Sequence, residues 1–460
     1  MLKRYIGDRA FYRRVMAVVI PIVIQNAITS FVSLLDNIMV GQVGQLQMSG
    51  VSIVNQLMFI FMLCIFGANA GAGIFTAQFH GNADDTGVRH TFRFKAMVCV
   101  LLVAAWTLIL LVADGPLINL YLQGEGDPKD AAAILGYGKG YLKVMLWGLL
   151  PFALSNAYSG TLRETGQTVV PMVAGIVAVF VNLIFNYILI FGHFGAPAMG
   201  VEGAAWATVI SRFVELTIVA GWTHFHPEKC PFVKGAYRSV YVPGKLLGNI
   251  VRKGMPLLMN ECLFATGVTL VNQCYSTCGL DVVPAMNISN TLWNLASVSY
   301  LAMGNSVGII MGQMLGAGTA EGEVRDYNRK LCFLSTVAGA FFGGVFAAFG
   351  GAFPQLYNAT EQVRTLATQL IVISSLMIPF NAYVHAAYFT LRSGGKTGIT
   401  FLFDCGFTWL MLVPMAFLLS RYTSISILPL YTVCQCVEII KSITGYFMVR
   451  SGIWIQNLAK

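Results

Sequence analysis

Charge is scarce in this 460-residue sequence. Asp, Glu, Lys and Arg make up 11% of the residues, hydrophobic residues make up 56%, and the mean hydropathy is +0.69. So few charges exclude a set of soluble domains of this length and predict a chain that lies mostly in lipid. We attribute the net charge of +9 to loops on one side of a membrane, and we expect no nucleic-acid partner.

The sequence also lacks the motifs of catalysis and nucleotide use. It contains no P-loop, no HExxH and no credible catalytic triad, so we expect neither an enzyme nor an ATP-driven pump, and no resident cofactor. The ten cysteines lie mostly in apolar runs, where they pack as small residues, so no metal site is predicted beyond a Na⁺ ion at Asp36. No small-residue cleavage site follows the first apolar run, which predicts a retained span.

Apolar runs long enough to cross a bilayer occur twelve times. They fall at 15–40, 51–79, 94–113, 134–160, 169–191, 199–222, 254–277, 283–315, 331–353, 366–391, 398–420 and 425–449. The one long polar stretch, 223–253, predicts a cytoplasmic linker between an N-terminal half, 1–222, and a C-terminal half, 254–460. We therefore predict an all-α integral membrane protein with two six-helix bundles.

Motifs recur between the two halves. The pattern GxxxxQxxG that begins at Gly73 recurs 235 residues later at Gly308, and Thr-Leu-Arg at Thr161 recurs 229 residues later at Thr390. Six is an even number of spans, so both halves enter the membrane from the same side. The repeats therefore predict a pseudo-two-fold axis along the membrane normal, with a substrate cavity between halves that rock against each other.

Lysine and arginine predict the orientation of the chain. Twenty-two of the 29 fall in segments on one side, five fall on the other, and Arg212 and Lys441 lie within spans. The positive-inside rule then predicts a multi-pass protein of the plasma or inner membrane with both termini in the cytoplasm. Arg212 with Glu215, and Lys441 with Glu438, are interpreted as structural i,i+3 pairs near cytoplasmic helix ends, where long side chains can also snorkel.

Asp36 is the one acidic residue of the first apolar run, and on a helix it shares a stripe with Asn26, Thr29 and Ser33. A carboxylate inside a span is costly and usually marks an ion pathway. Asn182 and Asn186, four residues apart in the fifth span, share one helical face, and Asn186 lies at a depth in the membrane similar to that of Asp36. Their oxygens suit Na⁺ or a proton, although hydrogen bonding between helices is the alternative for each asparagine. The candidate cation or proton site comprises Asp36, Asn156, Asn182, Asn186 and Thr208.

The second half carries a different set of polar residues. Glu261 and Asp404 each lie eight residues into a span, so we expect them to face one interior cavity and to share a proton. For His385, the alternative to a role in the cavity is packing, because a lone histidine is more often a hydrogen-bonded packing residue. The candidate proton or substrate cavity comprises Glu261, Asn272, Asn287, Asn294, Asn381, His385 and Asp404.

Several motifs together resemble the multidrug and toxic compound extrusion (MATE) family over essentially the full length, and its DinF-like branch more than its NorM-like branch. They are Asp36 followed by Met39-Val-Gly41, the fifth-span segment 182–192, Gly200-Val-Glu-Gly-Ala-Ala-Trp-Ala-Thr208, and the paired Thr-Leu-Arg motifs. In the DinF-like branch the first-span Asp forms a cation site with polar residues of the fourth, fifth and sixth spans. This chain departs from that branch at Asn186, where a second Asp is common, and Glu261 lies about one turn too early for the NorM-like acid.

The resemblance implies a secondary antiporter that exports amphipathic, often cationic, small molecules in exchange for H⁺ or Na⁺ by alternating access. The expected partners are a small-molecule substrate and membrane lipid, and we expect a monomer. The alternative within transporters is a lipid-linked oligosaccharide flippase, but the acidic partners predicted for Arg212 and Lys441 argue against a strongly basic cavity. From a different class, a non-transporting membrane receptor or enzyme is the remaining alternative.

Overall fold

Twelve long helices, α1 to α12, make up most of the residues that this computed structural model describes, which are 4–119, 128–357, 359–423 and 425–459. They are α1 (Arg9–Gly41), α2 (Gln45–Gly81), α3 (Asp85–Asn119), α4 (Pro128–Glu164), α5 (Val169–Phe191), α6 (Val201–Phe225), α7 (Gly244–Ser276), α8 (Val282–Gly316), α9 (Glu321–Phe349), α10 (Glu361–Ser393), α11 (Thr397–Tyr422) and α12 (Ile427–Ser451). Side chains are not described at 32–34, 37, 38 and 128, so Ser33 of the predicted stripe lies outside the description. Each predicted apolar run falls on one helix, which confirms the all-α prediction.

Seven of the helices, α1 to α4, α8, α10 and α11, begin before and end after the apolar runs that predict them. Eleven are long and apolar enough to cross a membrane, as judged from the described residues. The twelfth, α4, contains Lys139, Lys143 and Asn156, which lower its hydropathy. Apolar composition marks only the part of a helix in lipid, whereas backbone hydrogen bonds continue beyond it, which explains the longer helices.

The backbone of α11 departs from a regular α-helix. Residues Leu402–Gly406 and Thr408–Leu412 form two π-helical turns, and Pro414 follows within the next α-helical segment. Proline has no N–H to donate, and its ring crowds the carbonyl of residue i−4, so wider turns immediately before it relieve that crowding. Such turns often mark functional sites, and Asp404 lies in the first one.

The chain divides into two compact units. The N unit consists of Ile24–Thr76 and Asp85–Ile250, and its apolar core includes Val54, Ile65 and Ala153. The C unit consists of Met1–Val23, Ala77–Asp84 and Val251–Lys460, and within it α10 packs against α8, α9 and α12. The division at 1–222, 223–253 and 254–460 stays a prediction about the repeat.

The repeated GxxxxQxxG motifs contact each other within the C unit. A Cβ atom added at Gly81 would overlap the carbonyl of Gln313, and one added at Gly316 would overlap the carbonyl of Gln78. Gln78 is fully buried, and its amide nitrogen donates to the carbonyl of Ser393 at 2.8 Å. The repeat therefore places glycine where the ends of α2 and α8 approach most closely.

The segment after α12, residues 452–459, packs against the same region of the C unit. Trp454 is fully buried, and its indole nitrogen donates to the carbonyl of Val449 at 2.9 Å. The backbone nitrogen of Leu458 donates to Oε1 of Gln78 at 2.6 Å, and Asn457 donates to the carbonyl of Gly316 at 3.2 Å. This segment therefore ties α2, α8 and α12 together.

The predicted linker is ordered on the N unit. Arg93 of α3 donates to the carbonyls of Gly235 and Ala236, each at 2.7 Å, and Arg89 donates to the carbonyl of Phe232 at 3.3 Å. Cys230 is fully buried, and burial raises the pKa of its thiol to about 11. Two arginines that the sequence predicts on the positive side therefore hold the linker in place.

Candidate functional site: two buried carboxylates

Asp36 lies among polar side chains from two other helices of the N unit. Nδ2 of Asn186, on α5, donates to Oδ1 of Asp36 at 2.5 Å and contacts Oδ1 of Asn182 at 3.2 Å. Asn182 and Asn186 are 6% and 1% exposed, so this carboxylate is bound by buried amides. Among the described residues, Asp36 forms no ion pair within 4.0 Å.

The amide of Asn182 can face Asp36 in either of two orientations. Its terminal atom on that side lies 2.8 and 3.0 Å from the two oxygens of Asp36. With nitrogen on that side, the amide donates to an ionised carboxylate, and its oxygen accepts from the backbone nitrogen of Thr208 at 3.3 Å. With oxygen on that side, the amide nitrogen donates to Oγ1 of Thr208 at 3.3 Å, and a proton must lie between the facing oxygens.

Small residues bring Thr208 close to α5. A Cβ atom at Gly203 would lie 2.5 Å from the carbonyl oxygen of Leu189, and Ala204 and Ala207 of α6 are buried. The side chain of Thr208 also donates to the carbonyl of Ala204 at 3.1 Å. Small residues let helix backbones approach, so the motif around Gly203 positions the polar contact one turn later.

Asn156 is not brought to Asp36 by any hydrogen bond of the described residues. Its amide donates to the carbonyl of Phe152, one turn earlier in α4, at 2.9 Å. Arg212 pairs with Glu215 at 3.2 Å, as predicted, and also lies 5.0 Å from the ring centroid of Phe152. The four side chains that the structure gathers are therefore Asp36, Asn182, Asn186 and Thr208.

An apolar cavity adjoins Thr208 in the N unit. It measures about 60 Å³ and is lined by methionine and phenylalanine side chains together with Arg212 and Thr208. The lining residues are Met58, Phe61, Met62, Met145, Gly148, Leu149, Phe152, Thr208 and Arg212. Methionine side chains are flexible, so the shape of this cavity can adjust.

Asp404 in the C unit has a cation as its partner. Nζ of Lys441, on α12, lies 2.5 Å from Oδ1 of Asp404, and Nδ2 of Asn260, on α7, donates to Oδ2 at 2.9 Å. Lys441 is only 4% exposed. The interpretation of Lys441 as a snorkelling partner of Glu438 is therefore wrong. The ammonium of Lys441 is buried and forms its ion pair with Asp404, on another helix.

Glu261 does not provide the α7 contact to Asp404. That contact comes from Asn260, one position earlier, which is 2% exposed. Adjacent residues of a helix point about 100° apart, so Glu261 presents a different face. Lys441 is the ion-pair partner of Asp404, and a cavity and proton shared by Glu261 and Asp404 stay a prediction.

The other predicted residues of this half divide into buried and exposed ones. Asn381 donates to the carbonyl of Met377 at 3.1 Å, and Nδ1 of His385 lies 2.9 Å from the carbonyl of Asn381. The ring of His385 also lies 4.7 Å from that of Tyr300, which fits its interpretation as a packing residue. The exposed ones are Asn272, Asn287 and Asn294.

Sequence reasoning missed Asn260 and Lys441 as parts of this site. Both are buried polar residues within membrane-length helices, which is by itself a signal of function. In the sequence, Glu438 is the nearest acid to Lys441, and nothing distinguishes Asn260 from the charged Glu261 beside it. The structure assigns both to Asp404.

Membrane-length helices with ionisable residues inside them define a multi-pass membrane protein of the transporter class. The MatE family profile matches residues 21–188 and 256–418, so the chain belongs to the MatE family. The two matched segments begin 235 residues apart, the same offset as the repeated motifs. The resemblance to the MATE family is thereby confirmed, and the choice of the DinF-like branch stays a prediction.

Curated relatives and solved structures agree with this membership. The chain is 27% identical over 449 residues to the "Probable multidrug resistance protein NorM" of Thermotoga maritima, covering 96% of this chain and 93% of that protein. It is 24% identical over 422 residues to the "Probable multidrug resistance protein YoeA" of Bacillus subtilis, covering 91% and 89%. The chain also matches a solved structure, described as the outward-facing conformation of a multidrug resistance MATE family transporter, with a TM-score of 0.86 at 17% identity. The match covers 98% of this chain and 97% of that one, and it shows that the two share a fold.

Proposed function

We propose that this protein is a secondary antiporter that exports amphipathic and cationic small molecules by alternating access, in exchange for protons that bind at Asp36. Membership of the MatE family and the names of its multidrug resistance relatives support the export of drugs. The buried carboxylate of Asp36, held by amides and by no cation among the described residues, supports the coupling.

The observation that carries the choice of a proton is the position of the Asn182 amide. Its facing atom lies 2.8 and 3.0 Å from the oxygens of Asp36, within the range of both N–H···O and O–H···O hydrogen bonds, so the amide can bond to the ionised and to the protonated carboxyl group. A protonated Asp36 donates to the amide oxygen, and an ionised Asp36 accepts from the amide nitrogen. Thr208 satisfies the other end of the amide in both orientations, with Oγ1 in one and its backbone nitrogen in the other.

This arrangement supports a coupling mechanism. Proton binding changes the charge of Asp36 and the preferred orientation of Asn182, and so changes the contacts between α1, α5 and α6. An ion gradient drives transport only when the ion binds the two access states with different affinity. Each proton released on the cytoplasmic side then frees the carboxylate for another cycle, and a cationic substrate is the complementary occupant of an ionised site.

The proposal includes an orientation and an assembly. Twenty-two lysine and arginine residues on the predicted inner side support cytoplasmic termini in the plasma or inner membrane. The two MatE matches support halves at 1–222 and 254–460 that act as lobes of one monomer. Lys441 bound to Asp404, and Arg212 bound to Glu215, leave little free positive charge for the pyrophosphate of a lipid-linked oligosaccharide.

The test is transport of ethidium, a fluorescent organic cation, into proteoliposomes that hold the purified protein. An outward-directed or inward-directed pH gradient and a matched Na⁺ gradient are imposed separately, with empty liposomes as the control. We expect ethidium movement to follow the pH gradient without Na⁺. Movement that requires Na⁺ would assign the site to Na⁺, and no movement of any organic cation under either gradient would overturn the proposed antiport.

A further inference from the structure

The ion pair between Asp404 and Lys441 lies deep within the helices that carry it. Lys441 is ten residues before the end of α12 at Ser451, or about 15 Å along the helix axis. Replacing a buried ion pair with apolar residues is often neutral or stabilising, so stability alone does not account for this one. Ionisable residues at such positions are functional by default.

The backbone around Asp404 is built to change. Asp404 lies in the first of the two π-helical turns of α11, and its partner Asn260 also accepts from Sγ of Cys405 at 3.2 Å. A π-helical turn can convert to an α-helical turn with a shift of one residue, which rotates the side chains that precede it. Such a rotation would carry the carboxylate of Asp404 away from Lys441.

A second carboxylate lies beside Lys441. Glu438 is one helical turn earlier in α12, and its Oε2 atom is buried with no hydrogen-bond partner among the described residues. A buried carboxylate oxygen left unpaired is costly, and protonation or a nearby cation removes that cost. The ammonium of Lys441 also lies 5.7 and 5.9 Å from the ring centroids of Phe403 and Phe264, which stabilise a cation without neutralising it.

We propose that Asp404, Glu438 and Lys441 form a second proton site, in the C unit. Two ionised carboxylates and one ammonium carry one net negative charge, and a single proton brings the cluster to zero. Lys441 pairs with whichever carboxylate is ionised, and the other carboxylate holds the proton. The role of this site in antiport rests on the proposed function: it adds a second proton to each transport cycle, and the exchange of Lys441 between partners follows the change in α11.

Other titratable or charged groups surround this cluster. They are Glu261 on α7, Tyr300 on α8, His385, Tyr388 and Arg392 on α10, and Cys405 on α11. Replacing a carboxyl group of the cluster with an amide leaves these groups in place. A proton that disappears in such variants therefore belongs to the cluster.

The test measures the carboxyl groups directly, by infrared difference spectroscopy of the purified full-length protein between about pH 5 and pH 9, a range that covers buried carboxyl groups. The background variant is Asp36→Asn, which removes the first site. Glu261 keeps its carboxyl group in this background, and we expect one further protonated-carboxyl band, which belongs to the cluster. Adding either Glu438→Gln or Asp404→Asn abolishes that band, because each leaves one carboxylate that Lys441 neutralises at every pH.

The matched control is Glu215→Gln, which removes the acid of the other i,i+3 pair and should retain the band. A band that survives both Glu438→Gln and Asp404→Asn would overturn the proposal, as would a band lost in only one of these variants, since the acid removed there would then hold the proton without the other. Both variants are near-isosteric, and monodisperse elution reports that they fold. The spectrum does not depend on transport, so a failure of ethidium movement in the parent would overturn the proposed function and leave this assignment standing.

Discussion

Each of the two units buries a carboxylate between helices, but the two carboxylates have different kinds of partner. Asp36 is bound by asparagine and threonine, which stabilise a charge without cancelling it. Asp404 is bound by one asparagine and by the ammonium of Lys441, which cancels it. The first carboxylate can therefore exchange its proton alone, whereas the second can do so only when Lys441 has another partner.

The largest effect should come from Asp36→Asn, which removes the charge of the N-unit site and keeps its shape. Ethidium transport driven by a pH gradient should fall by roughly tenfold or more, because a neutral amide binds no proton differently in the two access states. The measurement is uptake into inverted vesicles at matched protein levels. Full activity in this variant would show that Asp36 does not couple transport to the gradient, and would point to Asp404 and Glu261 instead.

The next largest effect should appear in the stability of Lys441→Met. Removing the ammonium leaves Asp404 unpaired, which typically costs about 3–5 kcal/mol when a buried pair is broken. Thermal unfolding in detergent should therefore occur at a lower temperature, and the loss should be greater at high pH, where both carboxylates are ionised. Asp36→Asn is the control and should keep the parental Tm; an unchanged Tm in Lys441→Met would show that Asp404 does not need its partner.

A matched pair of asparagine variants distinguishes the roles of the amides that bind Asp36 and Asp404. Asn182→Ala should lower pH-driven transport severalfold and alter its pH profile, since the amide that responds to Asp36 is gone. Asn260→Ala should cost about 1.5–3 kcal/mol of stability from a lost hydrogen bond to a charged group and should change the pH profile less. Asn156→Ala, whose amide bonds within its own helix, is the control for both. Equal pH profiles in the first two variants would remove the distinction between the units.

The smallest expected effect belongs to Thr208→Val, which deletes the hydroxyl and keeps the backbone N–H. Only the orientation of Asn182 that suits a protonated Asp36 loses its partner, so binding a proton becomes harder. The pH profile of transport should shift toward acid with about a twofold change in rate, worth less than 1 kcal/mol. Thr217→Val, on the same helix with its hydroxyl bonded to the carbonyl of Phe213, should leave the profile unchanged.

Periodicity and composition predict the helices and four of the five residues of the N-unit site, but not that Asn156 bonds within its own helix. Asn182 and Asn186 recur on one face of a regular α-helix, so their spacing in the sequence predicts their contact with Asp36. The C-unit site escaped the same reasoning for physical reasons. Two π-helical turns change the register of α11, and the i,i+3 rule recognises partners within a helix, whereas Lys441 bonds to Asp404 across helices. Asn260 differs from Glu261 by one position, which depth alone does not resolve.

The segment after α12 has a consequence for the synthesis of the protein. The N unit spans Ile24–Thr76 and Asp85–Ile250, so all of its residues have left the ribosome while the second half is still being translated. The C unit instead joins the start of α1 and the end of α2 to residues beyond α12, and Gln78 acquires its bond from Leu458 among the last steps. Its earliest helices must therefore wait in the membrane, partly unpacked, until translation reaches the segment that completes their polar contacts.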